Sequence, residues 1–262
     1  MHKLKQRYSQ SVLKMNRKRG RDAIDDNCGP LPENWVNCPR KATELIAGVF
    51  LAFKTPLDSK FDGKLDEEHL FHPNMLLPTT KSRNQKLGLW IDLTDSERYY
   101  DRRIIEKNGC KYVKIRCKRR GEPPSADSMD RFMKTCFKFL RDNPSQIIGV
   151  HCTHGFNRTG FLITCYLVSE LKWTVEAAVA LFAQVRAPGI YKEDYVGELF
   201  RLYGDMRNVP VSPVRPPWIE EDRMEEPRIK KRRAMMKPKS KSTFIAGVPN
   251  VKPVDDPLKK SS

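Results

Sequence analysis

Ten consecutive residues, His151-Cys152-Thr153-His154-Gly155-Phe156-Asn157-Arg158-Thr159-Gly160, have the types and spacing needed to handle a phosphate. They read H-C-x5-R-[ST]-G. Five residues between Cys152 and Arg158 let the chain curl so that successive backbone N–H groups point into one cup, an anion nest. A helix opening at the end of that cup adds unpaired amides and the positive end of its dipole. A cysteine among such donors is held as thiolate, and Arg158 adds a neighbouring positive charge. The planar fork of Arg158 can grip two phosphate oxygens, which a lysine cannot do. Thr153, His154, Gly155, Phe156, Asn157 and Gly160 complete the phosphate-binding loop. Gly155 permits a backbone conformation or close approach that a Cβ would block.

The chemistry these groups fit is a two-step phosphoryl transfer. Cys152 attacks phosphorus in line to form a phosphocysteine, which water then hydrolyses. Preorganised amides and Arg158, rather than a metal, stabilise charge on the equatorial oxygens, so neither metal nor cofactor is expected. Thr159 can hydrogen-bond the thiolate or assist its departure. His151 is expected to brace the loop rather than to move a proton. Candidates for a proton donor are Asp92, Asp95, Glu122 and Asp127, each of which can equally be an ordinary loop or capping carboxylate. A β-phosphate leaving from a triphosphate needs such an acid less than an alkoxide does. Lys118, Arg119 and Arg120 are candidates for a basic substrate rim. The bland alternative is an inert buried thiol in a plain strand-to-helix turn, but Cys, Gly, Arg, Thr and Gly stand together in register. A second motif, Lys60-Phe61-Asp62-Gly63, matches the K-x-D-G of covalent nucleotidyl transferases. Too little chain surrounds it for a second catalytic domain, and it reads as a turn.

The elements that must position the cup follow from hydrophobic spacing. Leu87 to Leu93 and Gln146 to Val150 are short apolar runs of buried-strand type. Lys111 to Lys118 alternates, with Val113, Ile115 and Cys117 inward and Lys114, Arg116 and Lys118 outward. From Met129, Phe132, Met133, Cys136, Phe137 and Leu140 share a helical stripe that Asp142-Asn143-Pro144 ends. Helices are also expected over 159–172, over 175–186 behind a Thr174 N-cap, and over 193–203 with Gly204 as stop. Strands alternating with helices give an α/β domain with a mostly parallel central sheet.

The chain has 262 residues, enough for one sizeable core with tails, and a net charge of +17. Residues 1–27 carry 8 basic and 3 acidic side chains, and residues 208–262 carry 13 and 7, so the two ends hold +11 of that excess. Both read as disordered basic segments, the second Pro- and Lys-rich, flanking a catalytic domain over 28–207. Arg17-Lys18-Arg19-Gly20-Arg21 and Arg228-Ile229-Lys230-Lys231-Arg232-Arg233 suit nuclear import, and the whole balance suits a polyanionic partner. Seven cysteines without a C-x-x-C pair argue against a disulfide framework and a zinc ribbon. The longest apolar run, Leu45 to Phe53, is nine residues, too short for a membrane span.

The loop Cys152–Gly160 with Phe161-Leu162-Ile163 closely resembles the RNA 5′-triphosphatase domain of metazoan mRNA-capping enzymes. So do Trp35 with Asn37-Cys38-Pro39-Arg40, Phe71-His72-Pro73, Ile91-Asp92-Leu93-Thr94 with Arg98-Tyr99-Tyr100, and Gly189-Ile190-Tyr191-Lys192 with Asp194-Tyr195. These segments occur in family order over about residues 31–205. The resemblance implies a cysteine-phosphatase fold, metal-independent release of the γ-phosphate from 5′-triphosphate RNA, Cys152 as the phosphocysteine residue and a role for Asp92. Family members usually continue into a guanylyltransferase domain, and Ile245-Ala246-Gly247-Val248-Pro249 is similar to the linker entering it. A fragment, a short isoform and a standalone enzyme all stay open. The expected partners are 5′-triphosphate RNA, a guanylyltransferase domain or protein and the RNA polymerase II tail, with no membrane. The rival readings are a phosphatase of non-coding or viral RNA ends, a dual-specificity protein phosphatase and a basic RNA-binding adaptor with a vestigial site.

Overall fold

A computed structural model describes residues 28–77, 85–117 and 121–216. The expected N-terminal arm, most of the 208–262 tail and the three rim residues Lys118, Arg119 and Arg120 lie outside the described residues. Four parallel strands form one sheet: β1 (Phe50–Lys54), β2 (Lys86–Asp92), β3 (Lys111–Lys114) and β4 (Gln146–Cys152), in the order β1-β4-β2-β3. Among the described residues, five α-helices accompany them: α1 (Arg103–Lys107), α2 (Ala126–Asp142), α3 (Asn157–Ser169), α4 (Val175–Val185) and α5 (Glu193–Tyr203).

Six of the seven residues of β4 are buried, because both faces of the sheet are covered. On one face Ile148, Val150, Leu89, Ile91 and Phe50 pack against Phe132 and Cys136 of α2, the apolar residues of α3, and Phe182 of α4. On the other, Phe53, Trp90, Leu51 and Ile147 pack against Trp35, Phe61, Phe71 and Ile105, drawn from the chain before β2 and from α1. Helix α3 is buried almost all round, from Thr159 to Leu167, as expected of a central helix. It starts directly above the carboxyl end of the central strand, so the four residues Thr153–Phe156 join strand to helix where open α/β sheets bind ligands.

Several expectations need correction. The run Leu45–Phe53 was weighed only as a membrane span, yet its end forms β1, which continues into the buried Lys54. Strand β3 stops at Lys114, although Ile115 and Cys117 remain buried and still donate backbone hydrogen bonds to Asp92 and Leu93. Lys114 does not face solvent: its ammonium turns onto Asp92 at 2.9 Å. On α2, Phe137 is 51% exposed and Phe139 takes its place, because Phe132, Cys136 and Phe139 follow the i, i+4, i+7 rows of one face. Helix α3 ends at Ser169, three residues early, as Lys172 adopts φ +61° and Trp173 N–H closes back on Leu167 O at 3.1 Å. The Thr174 cap is present, its hydroxyl accepting from Ala177 N at 3.2 Å, and α5 stops at Gly204. Lys60-Phe61-Asp62-Gly63 lies in a 3-10 turn over Ser59–Lys64, with Phe61 in the core and Lys60 paired to Asp58 at 3.2 Å.

Candidate active site

Cys152 is the last residue of β4 and only 4% exposed, at the base of the cup. Its sulfur accepts a hydrogen bond from Gly155 N at 3.3 Å. Burial acts to raise the thiol pKa, but the Arg158 charge, the Thr159 hydroxyl and amide, and the Gly155 amide together outweigh it and hold the group below its ordinary value. The Thr159 hydroxyl is buried without a hydrogen-bond partner, near enough to the sulfur to help lower its pKa.

Gly155 has φ +73°, and a Cβ there would lie 2.2 Å from Phe53 O. Only glycine lets the loop lie this close to β1. Arg158 is tied on three sides: one terminal nitrogen donates to Leu93 O at 3.3 Å and Cys117 O at 3.2 Å, the other to Thr153 Oγ1 at 3.0 Å. The fork is thus preset before any phosphate arrives. Asn157 Oδ1 accepts from the Tyr191 and Lys192 amides at 3.0 and 3.1 Å, tying the loop to the start of α5. His154 is half-buried at the loop's edge, with Nε2 at 2.6 Å from Glu33 O, and Phe156 packs on Tyr191. Gly160 lies under Phe182 and Ile190, where a Cβ would approach to 2.6 Å.

A cup of amides requires its carbonyls to point away, and the structure shows what holds them. Thr55 N donates to Thr153 O at 3.0 Å. Arg186, 2% exposed, donates to His154 O at 3.0 Å and Gly155 O at 3.3 Å, and to Pro39 O at 2.8 Å. Its guanidinium lies 4.5 Å from the centroid of the Phe156 ring. Burial lowers its pKa to about 10, so it remains charged at neutral pH. The sequence reading placed Arg186 at the end of a helix and assigned it nothing; an arginine directly before Ala187-Pro188-Gly189 was the available signal. Arg186→Lys should leave at least one loop carbonyl without its donor. The expected result is a loss of ~2–4 kcal/mol in denaturant unfolding and about tenfold in kcat on a small aryl phosphate. An unchanged kcat alongside the lost stability would make Arg186 purely structural.

His151 braces the loop, as expected. Its Nδ1 lies 3.2 Å from Cys152 O and its Nε2 lies 2.6 Å from the Tyr100 hydroxyl. A carbonyl can only accept, so Nδ1 carries the proton and Nε2 accepts from Tyr100, which itself receives Trp90 Nε1 at 3.0 Å. Burial lowers the His151 pKa, consistent with a neutral ring.

Asp92 does not face Cys152. It is the parallel partner of His151 and points to the Trp90 side of the sheet, whereas Cys152 belongs to the Val150 side. Its carboxylate accepts from Thr94 N at 2.8 Å, Tyr112 at 2.9 Å and Lys114 at 2.9 Å, and the Tyr100 oxygen, whose proton goes to His151, lies 3.2 Å away. Burial acts to raise its pKa, but the Lys114 charge and the hydrogen bonds from Lys114 and Thr94 oppose it, and the group stays ionised. It closes a cavity of about 380 Å³ lined also by Lys60, Tyr99, Arg102 and Tyr112. An ionised carboxylate with three donors holds loops in place and has no proton to give. Asp95, Glu122 and Asp127 are exposed, and Asp95 lies 3.9 Å from Arg116. Among the described residues, no hydrogen bond or ion pair joins any of the four to Cys152 or Arg158.

The family profile described as "Dual specificity phosphatase, catalytic domain" matches residues 72–204. The chain is 53% identical over 192 residues to an mRNA-capping enzyme of Danio rerio, covering 73% of this chain and 32% of that protein. It is 50% identical over 192 residues to the mRNA-capping enzyme of Mus musculus, with the same two shares. An RNA/RNP complex-1-interacting phosphatase homolog of Caenorhabditis elegans is 34% identical over 174 residues, covering 65% of this chain and 75% of that protein. The chain therefore spans about a third of the length of the capping enzymes it matches. With half of its length matched by the profile and three-quarters of that phosphatase covered, the chain belongs to the dual specificity phosphatase family, whose catalytic-domain profile matches residues 72–204.

Proposed function

We propose that this chain is an RNA 5′-triphosphatase that removes the γ-phosphate from nascent pre-mRNA, the first step of capping, through a phosphocysteine on Cys152 and without a metal. One observation carries the reading: the cup holds Cys152 below the ordinary thiol range, while Asp92 is an ionised carboxylate on the other side of the sheet and no carboxylate among the described residues is hydrogen-bonded to Cys152 or Arg158. Such a cup is matched to a leaving group that departs as a stable anion, and a phosphoanhydride supplies one. The identities of 53% and 50% to mRNA-capping enzymes support the same substrate, against 34% for the RNA/RNP complex-1-interacting phosphatase homolog. In this reading Cys152 is the nucleophile, Arg158 and the loop amides hold the equatorial oxygens, and Thr159 assists departure of the thiolate. The reading carries with it a nuclear site of action, which the two basic clusters support. It also carries two partners, a guanylyltransferase domain or protein and the RNA polymerase II tail.

The test compares kcat/KM for triphosphate-ended RNA with that for a phosphotyrosine peptide, both in excess chelator. A phenoxide leaving group profits from a positioned acid that this site lacks, so the RNA should be favoured by ~10³-fold or more, about 4 kcal/mol of differential transition-state binding. The ratio should shrink at high salt as the electrostatic part is screened. Comparable values at low salt would instead support a protein phosphatase.

A further inference from the structure

The cup accounts for one phosphate, while a triphosphate end brings three. Beside the cup stands a cation for which the mechanism above has no use. Lys192 directly precedes α5, and its amide donates to Asn157 Oδ1, so the loop itself fixes where this residue begins. The side chain is half-buried. Its ammonium lies 5.7 Å from the centroid of the Tyr195 ring and next to Gly121, where a Cβ would stand 3.9 Å from Nζ. Tyr195 in turn is pinned by its hydroxyl to Glu122 O at 2.6 Å.

The charges around Lys192 are unusual for a lysine. Burial lowers its pKa, the Arg158 and Arg215 guanidinia push it the same way, and Asp194 and Cys152 pull it back. Arg158 belongs to the cup, and Arg215 comes from the segment after α5, so Lys192 is within electrostatic reach of both. Among the described residues no carboxylate, Asp194 included, comes within ion-pairing distance of its ammonium. Asp194 and Cys152 thus offset burial and the neighbouring guanidinia only in part. Holding an ammonium half out of water among like charges is costly unless an anion is bound there part of the time.

We propose that Lys192, anchored by its amide to the phosphate-binding loop, forms a second anion subsite that takes the phosphate adjoining the one under attack, the β-phosphate of a triphosphate-ended nucleic acid. This deepens the triphosphatase reading and rests on it. As the Cys152 sulfur forms its bond to the γ-phosphorus, the bond from that phosphorus to the bridging oxygen breaks. The electron pair stays on that oxygen, so one negative charge accumulates on the departing β-phosphate. An ammonium at the β position then binds the transition state more tightly than the ground state, and its removal lowers kcat as well as raising KM. A substrate with a single phosphate leaves the subsite empty. The subsite also takes over part of the task that the general acid performs in releasing an alkoxide.

The experiment measures the full chain and its Lys192→Met and Lys192→Arg variants on triphosphate-ended RNA and on p-nitrophenyl phosphate. For Lys192→Met, kcat/KM on the RNA should fall ~10- to 100-fold, with kcat sharing the loss, while p-nitrophenyl phosphate hydrolysis stays within about twofold. Lys192→Arg should restore most of the RNA rate. Equal losses on both substrates would make Lys192 a structural support of the loop and overturn the subsite, as would no loss on either. A wild-type chain that hydrolyses p-nitrophenyl phosphate but leaves triphosphate ends intact would be a different failure, overturning the parent reading and this one with it.

Discussion

Cys152→Ser should lower turnover on every phosphate substrate by about 10⁴-fold or more while leaving RNA binding within a fewfold of wild type. The cup lowers the pKa of Cys152 against the opposing effect of burial, through Arg158, Thr159 and the Gly155 amide. A serine hydroxyl starts so far above neutral pH that the same donors cannot ionise it, and the nucleophile is lost while the anion nest survives. The sign of the pH dependence follows. Thiolate is present above the lowered pKa of Cys152 and is lost as pH falls through it, so kcat/KM should decline on the acid side at a pH below the ordinary thiol range. The other titrations point the opposite way. Burial pushes Cys38, Cys110 and Cys165 up to about 12 and Cys117 to about 11, and it holds Cys136 well above its usual value. Iodoacetate at neutral pH should therefore carboxymethylate Cys152 and spare those five, as peptide mass spectrometry would show. Residual turnover of a few per cent in the serine variant, or equal labelling of the buried cysteines, would count against a thiolate nucleophile.

Arg158→Ala is expected to cost about 10⁴-fold in kcat, because two preorganised donors aimed at the equatorial oxygens disappear, each worth roughly 10²–10³. Part of that loss comes from the thiol, whose pKa should rise when the neighbouring guanidinium is removed. Arg158→Lys keeps the charge and loses the fork. The anchoring bonds to Leu93 O, Cys117 O and Thr153 Oγ1 need a planar group with several nitrogens, and an ammonium cannot reach all three and the phosphate together. The lysine variant should thus recover only part of the rate and remain ~10²-fold below wild type. A near-normal rate for the lysine variant would reduce Arg158 to a structural tie between the loop and the ends of β2 and β3.

The cup was legible because its parts are local: a strand end, five residues of loop and a helix start, all within ten positions, so the motif carries its own geometry. Thr174 and Gly204 were legible for the same reason, since a cap acts on its own helix. What was not legible depends on distant partners. Arg186 reaches back more than thirty residues to the carbonyls of the loop, and the Ala187-Pro188-Gly189 turn beside it does not tell which distant carbonyls it meets. Lys114 was assigned to solvent by alternation, and the period was right. The face it lies on, however, is a cavity holding Asp92, and tertiary structure rather than strand periodicity decided that. Strand β1 was missed because an apolar run that ends in a buried lysine looks like neither a clean strand nor a helix. Asp92 was singled out by its position at a strand end. The side of the sheet it faces is set by register with His151, which a single strand does not reveal.

The account rests on the γ-phosphate passing through Cys152, and a rapid-quench measurement addresses that step directly. The chain is mixed in excess chelator with RNA labelled at the γ-phosphate, stopped in acid within the first turnovers, and digested to peptides; a parallel sample carries the label at the β-phosphate. The account predicts transient γ-label on the peptide containing Cys152, none from the β-labelled RNA, and no labelled peptide in the Cys152→Ser variant. Release of γ-phosphate with no protein-bound label at any time, or release that requires an added divalent cation, would contradict it.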